Sequence, residues 1–136
     1  FGRIFWGTVS DKIGRYPTVI AMFGAVATGL LLTALFKGPG SILAILGIMM
    51  VALSFGGFLG SFPGITAENW GVTYVGTNYG WMFTAYGVAA IAGPQLGARL
   101  AQANQGDYTM AFFIVIGMAI LGILLQLFYM AKVKKV

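Results

Sequence analysis

Neither cysteine nor histidine occurs in these 136 residues, and acids are nearly as scarce, with three Asp or Glu in all. Without Cys there is no disulfide framework and no thiolate chemistry; without His there is no imidazole base and no His-held metal. The three carboxylates, Asp11, Glu68 and Asp107, each fall in polar punctuation between apolar runs, so no nucleophile or acid–base cluster is visible. These absences argue against an enzyme and against a resident metal or other cofactor. Charge as a whole is also thin, at 8% of residues against roughly 25% in soluble domains. Nothing at the start resembles a signal peptide with a basic n-region and cleavage site.

What is plentiful is apolar. Hydrophobic residues make up 59% of the chain, mean hydropathy is +0.89, and there are 21 glycines. This composition suits helices packed in lipid, where small residues let backbones approach. A transmembrane β-barrel would need alternating stretches of about ten residues, whereas the runs here are continuously apolar over longer spans. The net charge of +5 comes from bases scattered at the ends of these runs, a pattern that sets membrane topology rather than holding nucleic acid.

The runs predict four full spans, at 17–36, 41–66, 78–100 and 109–131, preceded at 1–8 by the tail of another helix, so the chain reads as a fragment. The first full run carries no charge and extends roughly 30 Å, the hydrocarbon thickness. Pro17 stands in its first turn, where proline is tolerated, and Lys37-Gly38-Pro39-Gly40 turns the chain after it. The stretch from Ala67 to Thr77, with Glu68, Asn69 and Trp70, reads as a loop or interfacial segment. Pro94 is expected to bend or open the third span. Lys12 and Arg15 share a side with Lys132, Lys134 and Lys135, against Lys37 and Arg99 opposite. By the positive-inside rule the first loop and the C-terminus are cytoplasmic.

The densest charge lies in Gly7-x-x-Ser10-Asp11-Lys12-Ile13-Gly14-Arg15-Tyr16, which reads as a short loop between two membrane helices. Asp11 suits a helix cap or an ion pair, Gly14 a tight turn, and Lys12 and Arg15 an anionic membrane face. The spacing resembles the loop signature of the major facilitator superfamily, G-x-L-x-D-(R/K)-x-G-R-(K/R), with Val9 at the usual Leu and Tyr16 at the usual final base. The resemblance implies an all-α, polytopic membrane helix bundle: the last part, from the end of helix 8 to helix 12, of a twelve-helix fold whose N-terminal remainder is the natural partner. It also implies that Gly7, Asp11, Lys12, Gly14 and Arg15 form a gating latch; a plain basic turn is the alternative.

A narrower resemblance, to the oxalate/formate antiporter family, is carried by Gly2-Arg3-Ile4-Phe5-Trp6-Gly7, by Phe62-Pro63-Gly64-Ile65-Thr66-Ala67-Glu68, and by Gly76-Thr77-Asn78-Tyr79-Gly80-Trp81-Met82-Phe83-Thr84-Ala85-Tyr86-Gly87 with Gly93-Pro94-x-x-Gly97 after it. That family exchanges small carboxylates without ATP. The oxalate exchangers hold the dianion between a helix-eight Arg and a helix-eleven Lys inside an aromatic cage. Arg3 matches the first base; Tyr86 stands where the second would be. An intramembrane Arg is costly and marks function, and its fork suits a carboxylate. With the loop starting after residue 8, Arg3 lies roughly 8 Å, and Tyr86 roughly 12 Å, into the membrane from the cytoplasmic side.

With one base in place of two, the expected substrate is a monocarboxylate or a hydroxy or keto acid, Tyr86 donating a hydrogen bond. Phe55 and Phe83 are candidates for the cage; Gly87, Gly93, Pro94 and Gly97, like Gly56, Gly57 and Gly60, for helix packing or bending. Trp70, Tyr74, Tyr79 and Trp81 read as interface residues. The expectation is a secondary transporter of small organic anions working by alternating access, multi-pass in a bacterial inner membrane, with lipid and a small carboxylate as partners and neither nucleic acid nor cofactor. A four-helix scaffold or a channel subunit is the alternative.

Overall fold

The computed structural model describes residues 1–38 and 40–133. Pro39 of the first Gly/Pro turn, and Lys134 and Lys135 of the basic tail, lie outside the described residues. Five helices follow in order: α1 Gly2–Ile13, α2 Arg15–Leu35, α3 Ile42–Trp70, α4 Val75–Ala103 and α5 Thr109–Val133. Among the described residues there is no strand.

The helices are inside-out by the standard of a soluble bundle. The largest fully buried side chains are Met22, Thr18, Thr66 and Ser54, while Ile42, Met49, Leu121, Leu125 and Phe128 are exposed. The buried hydroxyls bond back to their own helices: Thr18 Oγ1 donates to the Gly14 carbonyl (2.7 Å), Ser54 Oγ to Met50 (2.9 Å) and Thr66 Oγ1 to Phe62 (2.8 Å). Such back-bonding satisfies a hydroxyl where no water reaches it. Small polar residues inside and large apolar ones outside are what a lipid solvent asks for.

Three helices, α2, α3 and α5, are long and apolar enough to cross a membrane. The fourth expected span falls on the helix α4, whose 29 residues extend roughly 43 Å, but α4 is not among the helices apolar enough to cross. It is long enough but less apolar, because Thr77, Asn78, Gln95, Arg99 and Gln102 interrupt it.

Two boundaries differ from expectation. The charged motif is not a loop: residues through Ile13 stay in α1, Gly14 alone joins the helices, and Arg15 already begins α2. Gly14 adopts φ 91, ψ 158, a conformation essentially reserved for glycine, and its N–H donates to the Ser10 carbonyl at 2.9 Å. Likewise the expected 67–77 loop shrinks to four residues, Gly71 to Tyr74, because α3 runs on through Glu68 and Asn69 to Trp70. Asn69 Nδ2 donates to the Ile65 carbonyl at 2.8 Å, using its polarity within the helix. Pro94 lies inside α4, as Pro63 lies inside α3, and neither ends its helix.

The chain divides into two compact units, Phe1–Ser61 with Phe112–Val136, and Phe62–Ala111. In the first unit, Gly29 of α2 and Gly47 of α3 meet backbone to backbone, each closing the space where the other would carry a Cβ. Phe23 of α2 packs at a tilt against Phe58 of α3 (centroids 4.9 Å apart, planes at 53°) and fills the space beside Gly122 of α5. Tyr16 and Tyr129 meet at 5.5 Å between α2 and α5. In the second unit, Thr66 Oγ1 of α3 approaches Met82 Sδ of α4 at 3.9 Å. Asp107 Oδ1 accepts from the Thr109 N–H (3.0 Å) and Oγ1 (2.6 Å), opening α5 with a side-chain turn.

Candidate functional site

Arg3 is held by a glycine strip. Gly2 lies against Leu53 and Gly56 of α3, the Trp6 indole against Gly57, and the Arg3 stem against Gly60. A Cβ at Gly60 would stand 3.3 Å from Arg3 Cγ and 3.4 Å from its Cβ. The three glycines of α3 thus let α1 approach closely enough to fix the stem of Arg3. The guanidinium is exposed, and among the described residues it makes no hydrogen bond and no ion pair.

Arg3 stands ten residues before Ile13, the end of α1, about 15 Å along a helix whose last turns carry Asp11 and Lys12. Tyr86 stands eleven residues past Val75, about 16 Å along α4.

Phe83 and Tyr86 come together, with centroids 4.9 Å apart and planes at 36°. Tyr79 adds a third ring, 5.4 Å from Phe83. Tyr79, Phe83 and Tyr86 therefore line one face of α4, a pattern legible in their spacing of four and three. Phe55 precedes the glycine strip on α3 and is about half exposed. Arg3 and Phe55 belong to the first unit, Phe83 and Tyr86 to the second. Trp70 and Trp81, with Asn78 and Met82, line a separate open recess of about 350 Å³.

The two glycine groups part company. A Cβ at Gly87, Gly93 or Gly97 would meet nothing within 4 Å, whereas one at Gly57 would run into Trp6. The latch residues are also distinctive. Asp11 lies in the last turn of α1 rather than capping a helix start, and α2 begins with Gly14 as its N-cap and no side-chain cap. An acid at a helix C-terminus and a base, Arg15, at the next N-terminus both oppose the helix dipoles, at about 0.3–1 kcal/mol each.

The family model for the major facilitator superfamily matches residues 1–135. The chain belongs to that superfamily. It is similar to the oxalate:formate antiporter of Oxalobacter formigenes, 37% identical over 99 residues that cover 73% of this chain and 24% of that protein. It is also similar to Protein ZINC INDUCED FACILITATOR 1 of Arabidopsis thaliana, 32% identical over 99 residues, covering 73% and 20%. A third relative is the uncharacterized MFS-type transporter YhjX of Escherichia coli (strain K12), 31% identical over 91 residues, covering 66% and 22%. The chain thus spans about a quarter or less of the length of these relatives. No solved structure matches it. Membership makes it a chain of a multi-pass membrane transporter family, in keeping with its three helices long and apolar enough to cross a membrane.

Proposed function

We propose that this chain is the end of helix 8 through helix 12 of a secondary transporter for small organic anions, and that Arg3 receives the substrate carboxylate. The observation that carries this is the Arg3 guanidinium, fixed at its stem by Gly60 and paired with nothing among the described residues. An Arg within a membrane helix is expensive as an unpartnered cation without an anion to receive. The bidentate fork fits a carboxylate. The likeness to an oxalate:formate antiporter agrees with an anionic substrate, and a chain with neither His nor Cys offers little to a zinc ion.

Tyr86 at the position of the exchangers' second base favours a monocarboxylate or a hydroxy or keto acid over a dianion. Phe83, Tyr79 and Phe55 supply apolar walls. Asp11 and Arg15, set against their helix dipoles, act as latch residues whose partners change as the two halves rock. Lys12, Arg15 and Lys132 face the cytoplasm of a bacterial inner membrane, and the N-terminal remainder of the transporter completes the cavity.

The test is counterflow of labelled formate, lactate, pyruvate and oxalate by the intact transporter in proteoliposomes. Arg3→Gln should reduce carboxylate exchange about 100-fold, the scale of leaving a buried charge partner unmatched, with Arg3→Lys retaining part of it. Full exchange by Arg3→Gln would refute the assignment.

A further inference from the structure

Trp6 and Arg3 are three residues apart on α1 and face the same glycine strip of α3. The indole is 7% exposed, keyed against Gly57 so closely that its Cγ and Cβ stand 2.6 and 2.9 Å from where a Cβ would be. Phe5 braces it edge-on at 5.3 Å. Its Nε1–H is sealed inside this contact and has no hydrogen-bond partner among the described residues. A sealed, unpaired donor disfavours the arrangement that seals it by roughly 5- to 150-fold. Substrate cannot reach the atom without moving α1, so this N–H is no direct substrate contact in the packed arrangement.

We infer that the Trp6–Gly57 contact is a two-position joint, and that Trp6 is a positioning residue that sets where Arg3 stands. In the packed position the indole fits the gap left by Gly57 and the Arg3 stem rests on Gly60, at the expense of the unpaired N–H. In the parted position α1 moves off α3, the N–H gains a partner and Arg3 moves with the helix. Packing favours the first position and the polar atom favours the second. Neither position is then overwhelmingly preferred, which is what a transporter cycling between two states needs. The role given to Arg3 rests on the proposed function above; the joint itself rests on the packing of α1 against α3.

The test uses the intact transporter with spin labels at Ile4→Cys and Met49→Cys, both exposed positions on α1 and α3, and measures the distance distribution between them. Replacing Trp6 by benzothienylalanine, which keeps the shape and loses the N–H, should raise the ratio of packed to parted populations about tenfold. Gly57→Ala, which puts a methyl where the indole lies, should empty the packed population. An unchanged distribution in the benzothienylalanine protein overturns the joint, and so does a packed population that survives Gly57→Ala. The distance measurement needs no substrate, so its failure leaves the role of Arg3 standing. Conversely, full carboxylate exchange by Arg3→Gln removes that role without touching the joint.

Discussion

Alanine at different glycines of this chain should change stability with opposite signs, and the sign follows from what each new methyl meets. In a helix interior, Gly→Ala is favourable by about 1 kcal/mol from backbone entropy alone. At Gly97 nothing lies within 4 Å, so that gain stands. At Gly60 the methyl meets Arg3 Cγ at 3.3 Å, a few tenths of an ångström inside the usual 3.5–4 Å contact. The flexible Arg3 stem can yield that much, leaving the change about neutral. At Gly57 the methyl would stand 2.6 Å from Trp6 Cγ and 2.9 Å from its Cβ. The ring is rigid and walled in, so α1 must retreat by roughly 1 Å. Overpacking of this kind costs about 1–3 kcal/mol, leaving Gly57→Ala destabilised by up to about 2 kcal/mol after the helix gain. The assay is reversible unfolding of the full-length transporter in mixed micelles, comparing the three variants. The expected order of stability is Gly97→Ala, then Gly60→Ala, then Gly57→Ala. Equal stability of the first and last would refute the packing of α1 on the glycine strip.

Two further changes test the latch and the substrate reading. Gly14→Ala places a Cβ on a residue at φ 91, ψ 158, at about 1–3 kcal/mol of backbone strain; thermal melting should show it, and an unshifted melt would contradict the conformation. Tyr86→Lys should raise the preference for oxalate over formate in counterflow. Two unit charges 4 Å apart gain about 1 kcal/mol in a water-like cavity and about 4 kcal/mol nearer protein values, so the ratio should change from about fivefold to several hundredfold. An unaltered ratio would place Tyr86 away from the anion.

The helices α2 and α5 were legible because uninterrupted apolar runs allow little else. The ends of α1 and α3 were not, and for one reason. Asp11, Lys12, Glu68 and Asn69 look like loop residues, yet a helix carries charge at its exposed last turn without difficulty, and Asn69 bonds back to Ile65 within α3. Arg3 stood out as a charge in an apolar run. Trp6 did not, since a tryptophan in such a run looks like any lipid anchor until Gly57 is found opposite it. Sequence could not tell the strip at Gly56, Gly57 and Gly60 from the glycines of α4 either, because glycine marks a place for close approach without naming the neighbour.

The single residue between α1 and α2 has a mechanical consequence. Ile13 and Arg15 are two Cα steps apart and can never separate beyond about 7–8 Å, so the bottom of one rod is tethered to the foot of the next with no slack. The first rod is free to swing about that tether but not to slide. Any tilt that carries its far end away from α3 must therefore be taken up as torsion at Gly14 or passed directly into α2.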